Sequence, residues 1–128
     1  MYASAGILIF GHDAILLETR RLILKGAGFQ VRIATEATEA LQVLVREPID
    51  LFILCQSLPL NECVPILKTA HTLRPDMENL VLGGETLGLS ADKADKHDTF
   101  LTAFLDPRAF IELIQHKMSA QTVTSSLQ

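Results

Sequence analysis

Short apolar runs alternate along this chain with longer segments in which apolar residues recur every three or four positions, a pattern that predicts strands alternating with helices. Gly6-Ile7-Leu8-Ile9-Phe10 is apolar almost throughout, as a central strand covered on both faces would be. A helix follows from about Ala14 to Ala27, with Leu16, Ile23 and Ala27 as its inward stripe, and Gly28 stops it. Phe29 to Ala34 reads as an edge-side strand in which Phe29, Val31 and Ile33 alternate with Gln30 and Arg32. Thr35 is expected to cap the next helix, which turns Ala37, Ala40, Leu41 and Leu44 inward and closes at Pro48. Asp50 to Cys55 is a third, buried strand. After Leu58-Pro59-Leu60 comes a helix with Ile66, Leu67, Ala70 and Leu73 on one face and Pro65 in its first turn. A fourth strand is expected around Asn79 to Leu82 and a fifth from Thr99 to Ala103. Asp106-Pro107 opens the last helix, with Phe110, Ile111 and Ile114 inward. The weakest unit is the fourth helix, Glu85 to Lys96, which contains Gly88 and little apolar period.

The alternation defines five βα units around a parallel sheet, and 128 residues at 48% hydrophobic content suffice for one domain and not two. Residues 1–118 form that domain, and the polar stretch 119–128 is expected to fray. The apolar run at Gly6 is far too short to span a bilayer and no basic segment precedes it, so a cytoplasmic location without membrane contact is expected. A net charge of −4 leaves no excess cation to neutralise phosphates, which argues against nucleic-acid binding. The pair Arg20-Arg21 is then most simply a solvated helix face. Cys55 and Cys63, eight residues apart, match no zinc or CxxC spacing, and reduced thiols are expected.

With five βα units, the Ile-Leu-Ile-Phe strand, Pro48-Ile49-Asp50-Leu51-Phe52-Ile53-Leu54, Leu58-Pro59 beyond it and Asp106-Pro107 opening the last helix, the chain resembles a response-regulator receiver domain over about Gly6 to Met118. The resemblance implies a flavodoxin-like (βα)5 three-layer sandwich, with a parallel five-stranded sheet of order 2-1-3-4-5 and a site at the carboxyl ends of the strands. In that family an acidic pair after strand one holds magnesium, and an aspartate ending strand three accepts a phosphoryl group. Those positions are Gly11, His12 and Cys55 here. The hydroxyl residue ending strand four and the lysine ending strand five, which contact the phosphoryl oxygens, correspond to Gly83 and Ala103. All five positions have changed. The proline that usually follows the lysine is Phe104, while the aromatic switch residue is retained as Phe100.

Magnesium is a hard cation that wants oxygen ligands, and Asp13 is the one acid left in the first loop, where a solvated or helix-capping role is simplest for it. A thiol at Cys55 cannot form the acyl phosphate, and without the lysine nothing cationic balances incoming charge. Aspartyl phosphorylation is therefore not expected, and neither a metal nor a cofactor is. The chain is expected to be a phosphorylation-independent, pseudo-receiver module of bacterial two-component (phosphorelay) type, not an enzyme, that acts by binding a protein partner such as a kinase or another regulator. Leu17 and Leu22, beside the inward stripe of the first helix, and Leu113 are candidates for partner-facing apolar surface. Receivers pair through the face made by the fourth helix, fifth strand and last helix, so a homodimer is implied by the same resemblance. Two alternatives stand beside this reading. Cys55 with His12 could form a redox or thiol-reactive sensor, since a Cys-His pair lowers a thiol pKa, although a cysteine plugging an apolar pocket is the simpler account. A flavodoxin-like cofactor binder is the other, but Gly11-His12-Asp13 is not a phosphate-cradling loop. Cys63, His71, His97 and His116 form no readable site.

Overall fold

The computed structural model describes residues 6–55, 60–82, 98–101 and 106–126. In chain order these residues build β1 (Gly6–Phe10), α1 (Ala14–Gly26), β2 (Gln30–Ala34), α2 (Ala37–Arg46), β3 (Leu51–Leu54), α3 (Leu60–Leu73), β4 (Glu78–Leu82), β5 (Asp98–Leu101) and α4 (Pro107–Ser126). The five strands form one parallel sheet in the order β2-β1-β3-β4-β5. The expected helix at Glu85 to Lys96 lies outside the described residues, so four helices are described.

Alternate strand residues face opposite sides of the sheet, and each side has its own core. Leu8, Phe10, Phe52, Leu54 and Val81 pack against Ala40 and Leu44 of α2 and Cys63, Ile66 and Ala70 of α3. On the other side Ile7, Ile9, Leu51, Ile53, Leu80 and Cys55 pack against Leu17 and Leu24 of α1 and Phe110, Ile114 and Met118 of α4. All five residues of β1 are buried, as its unbroken apolar run requires. The two cysteines therefore lie in different layers and form no disulfide with each other.

Local chemistry fixes the ends of α1. The Asp13 carboxylate accepts from the Leu16 N–H at 3.1 Å, satisfying one of the orphan donors of the first turn. At the other end Gly28, at φ 102°, lets its own N–H reach the Lys25 carbonyl and the Phe29 N–H reach the Leu24 carbonyl. That pair of bonds is a Schellman motif, and Leu24 and Phe29 bury together beside it. Gly6 has a different reason to lack a side chain: a Cβ there would lie 2.4 Å from the Pro48 carbonyl oxygen. This close approach seats β1 beside the start of β3, where the Gly6 N–H donates to Asp50 Oδ2 and the Asp50 N–H to the Gly6 carbonyl.

Several local expectations need correction. The buried line of α1 runs through Leu17 and Leu24, one residue round from the expected stripe, so Leu17 is core and not partner-facing, whereas Leu22 is exposed. The N-cap of α2 is Glu36, without a side-chain cap; Thr35 instead presents its N–H to the Glu39 carboxylate at 3.0 Å. In α3 the buried line is Cys63, Ile66, Leu67 and Ala70, and Leu73 falls off it at 40% exposure. The next residue on that line, Arg74, donates instead to the carbonyl oxygens of Leu44 and Glu47. Pro65 lies inside α3, past its first turn, where its missing N–H leaves the Asn61 carbonyl without a helical donor. The last helix opens as expected, with the Ala109 N–H donating to Asp106 Oδ1 at 2.7 Å, and it runs on to Ser126 through the stretch expected to fray. That stretch contains no glycine or proline to stop propagation.

Candidate functional site

The carboxyl end of β1 lies between β2 and β3. Beyond the regular ladder the Gly11 N–H donates to the Ala34 carbonyl and the Cys55 N–H to the Phe10 carbonyl, so the loop after β1 and the end of β3 are brought together. Gly11, His12, Asp13 and Cys55 all sit here. Gly83, Ala103 and Phe104 lie outside the described residues. Phe100 lies on β5 in register with Val81 of β4.

Cys55 is two residues beyond Ile53 and shares its face of the sheet, toward α1 and α4. Its Sγ accepts a hydrogen bond from Arg20 Nη1 at 3.1 Å. The same guanidinium stands 6.0 Å from the centroid of the Phe110 ring, a cation–π contact that joins α1 to α4 over the end of β3. Arg20 is on this line because it follows Leu17 by three residues and precedes Leu24 by four. Arg21, partly exposed like Arg20, clasps the Glu18 carboxylate one turn back, so the pair is not simply a solvated face. The Cys55 thiol is 2% exposed, and burial pushes its pKa up; the Arg20 guanidinium pulls it down and the Asp13 carboxylate pushes it further up. Burial outweighs the guanidinium, and the thiol's pKa stands above its ordinary value.

His12 turns to the other side. Its ring stacks edge-on against Phe10, with centroids 6.0 Å apart, and places Nδ1 3.1 Å from the Thr35 carbonyl oxygen and Nε2 2.8 and 2.9 Å from the two Glu62 carboxylate oxygens. Glu62 stands in the first turn of α3. Its hydrogen bond is the main reason the His12 pKa is raised. With both nitrogens committed to Thr35 and Glu62, His12 is not available as a base for Cys55, and the sequence-predicted Cys-His pair is not assembled.

This donor set does not fit magnesium. Gly11 has no side chain, the Asp13 carboxylate caps α1, and the sulfur of Cys55 is a soft ligand facing a guanidinium. Among the described residues, no cluster of three or more His, Cys, Asp or Glu is placed to hold a metal ion. Arg20 and Glu62 are the two residues of this end that the sequence reading missed. For Arg20 the signal was its position on the Leu17–Leu24 line; for Glu62 only the topology, which sets the start of α3 beside the β1–α1 loop, could have found it.

The architecture is that of the receiver domains. No family model matches the sequence, and no curated protein matches it. Solved structures do. A CheY-like response-regulator receiver domain protein from Methanospirillum hungatei JF-1 is 26% identical, with a TM-score of 0.75 over 94% of this chain and 98% of that one. A response-regulator receiver domain protein from Clostridium thermocellum is 19% identical, with the same TM-score and coverage. The signal receiver domain of an HD domain-containing protein from Pseudomonas fluorescens Pf-5 is 20% identical at a TM-score of 0.75, over 98% of this chain and 95% of that one. The chain thus resembles response-regulator receivers over nearly its whole length. No helix among the described residues is long and apolar enough to cross a membrane.

Proposed function

We propose that this chain is a receiver-like module of two-component signalling that works by binding a protein partner and does not accept a phosphoryl group. The likeness to receiver domains supports the signalling class. The observation that carries the rest is Cys55: the residue ending β3 is a buried thiol held by a guanidinium, where a receiver carries an exposed nucleophilic carboxylate. Arg20 brings one positive charge to this end of the sheet, but nothing among Gly11, His12, Asp13 and Cys55 offers an oxygen nucleophile together with a magnesium cage. In this reading Gly83 and Ala103, the counterparts of the hydroxyl and lysine positions, complete the loss, and the receiver scaffold survives for its surfaces. Self-association would use the sheet edge at β5 with the neighbouring α4, and light scattering at rising concentration tests it.

The deciding experiment is an amide NMR titration with magnesium and then beryllofluoride. Unchanged resonances at Gly11, His12, Asp13 and Cys55 are expected. Specific shifts at those residues on adding beryllofluoride would show that this end of the sheet still takes a phosphoryl analogue, and the proposal would fail.

A further inference from the structure

Both ring nitrogens of His12 face groups that only accept hydrogen bonds. Nδ1 meets the Thr35 carbonyl oxygen at 3.1 Å, and Nε2 meets the Glu62 carboxylate at 2.8 and 2.9 Å. Two such bonds need two N–H groups, which only the imidazolium form has; a neutral ring carries one proton and leaves its other nitrogen as a lone pair against an acceptor. The three residues belong to three segments: His12 to the loop between β1 and α1, Thr35 to the turn between β2 and α2, and Glu62 to the first turn of α3. We propose that His12 is a proton-operated clasp, which ties these three segments together at the carboxyl end of the sheet when charged and releases one of them when it loses its proton.

The surroundings favour the charged form. Glu62 on α3 supplies the strongest influence, and Glu36, just before α2, adds to it. In the first turn of α2, Glu39 accepts from the Thr35 N–H. In the loop of His12 itself, Asp13 is engaged with the Leu16 N–H. Cys55 is on the opposite face of the sheet, and burial raises the pKa of its thiol. The clasp is open to solvent protons, since His12 and Glu62 are 41% and 38% exposed. Its pKa is raised above the ordinary 6.5, so the charged, closed form persists through that value and the open form arrives as pH climbs beyond it. The end of the sheet where receivers respond to magnesium and phosphorylation would here respond to protons. The clasp holds or fails independently of the partner-binding role.

The test is a pH titration of the whole chain followed by NMR, reading the His12 ring protons and the amides of Thr35, Glu62 and Cys63. The ring is expected to titrate above 6.5, and those three amides are expected to move with the same midpoint. Glu62→Gln should lower the midpoint, and His12→Gln should remove the shared transition while the rest of the spectrum stays folded. A ring midpoint at or below 6.5, or amides of Thr35 and Glu62 that stay still while the ring titrates, would overturn the clasp.

Discussion

Arg20 and Cys55 lie 35 residues apart in sequence, and the guanidinium of one donates to the sulfur of the other across 3.1 Å. A half-buried cation has thus been placed against the residue that ends β3, where it also reaches the ring of Phe110. The contact has a measurable consequence for the thiol. Arg20 is the group that favours the thiolate, against burial and Asp13, which oppose it. Arg20→Met should therefore raise the Cys55 pKa further, so that thiolate absorbance emerges at higher pH than in the native chain. A lower value in the variant would mean that Arg20 acts mainly by keeping water out.

A carboxylate placed at the end of β3 should not by itself accept a phosphoryl group. Cys55→Asp would set a carboxylate beside Arg20, where an ion pair offsets the burial of the new charge. The variant should fold, yet remain unlabelled by a small phosphodonor with magnesium, because Gly11 and His12 still supply no oxygen ligand for the ion. Stable labelling of Cys55→Asp would show that the end of β3 is the only broken part.

The rotated stripe of α1 can be checked by comparing two leucines. Leu17 is fully buried between the sheet and α4, so Leu17→Ala should cost about 2–5 kcal/mol through lost burial and the cavity it leaves. Leu22 is 55% exposed, and Leu22→Ala should stay within about 0.5 kcal/mol of the native chain. Denaturant midpoints that ranked the two substitutions the other way would contradict the buried line through Leu17 and Leu24.

That stripe shows where the sequence was legible and where it was not. The unbroken apolar runs of β1 and β3, the glycine after α1 and the Asp106 cap each rest on local chemistry, and each is found where the pattern put it. Helix α1 is apolar on two adjacent lines, so period alone could not choose between Leu16–Ile23 and Leu17–Leu24; Arg20 falls at helical spacing from both, and only its charge made it look solvated. Thr35 is a good capping residue by type, but Glu39 takes its N–H and the helix starts two residues on. The His12–Glu62 contact joins residues 50 positions apart and is invisible to any local pattern. At this end of the sheet the sequence pointed to Gly11, His12, Asp13 and Cys55, but the partners of His12 and Cys55 required the fold.

Asp13 offers a direct comparison between a capping role and a remnant of a metal site. If it serves as the N-cap of α1, Asp13→Ala should cost about 1 kcal/mol, and Asp13→Asn, which can still accept from the Leu16 N–H, should cost little. Neither cost should depend on magnesium. Denaturant midpoints of the native chain that rise with magnesium, and stop rising in Asp13→Asn, would assign the carboxylate to the ion instead.

Alkaline pH should destabilise the fold through Cys55. Burial raises the pKa of this thiol in the folded chain above the ordinary 9.0 that it regains on unfolding. A raised folded-state value means that the native state holds the proton longer. The contribution of Cys55 to stability is therefore intact below 9.0 and is lost as pH rises from there through the folded value, while the unfolded chain gains by ionising. The native chain should show a falling denaturation midpoint over that window, and Cys55→Ala, which has no thiol to ionise, should show a shallower fall. Every other ionisable side chain is common to both proteins, so the difference between the two curves isolates Cys55. Curves that run parallel above 9.0 would mean that Arg20 offsets the burial of the thiolate in full.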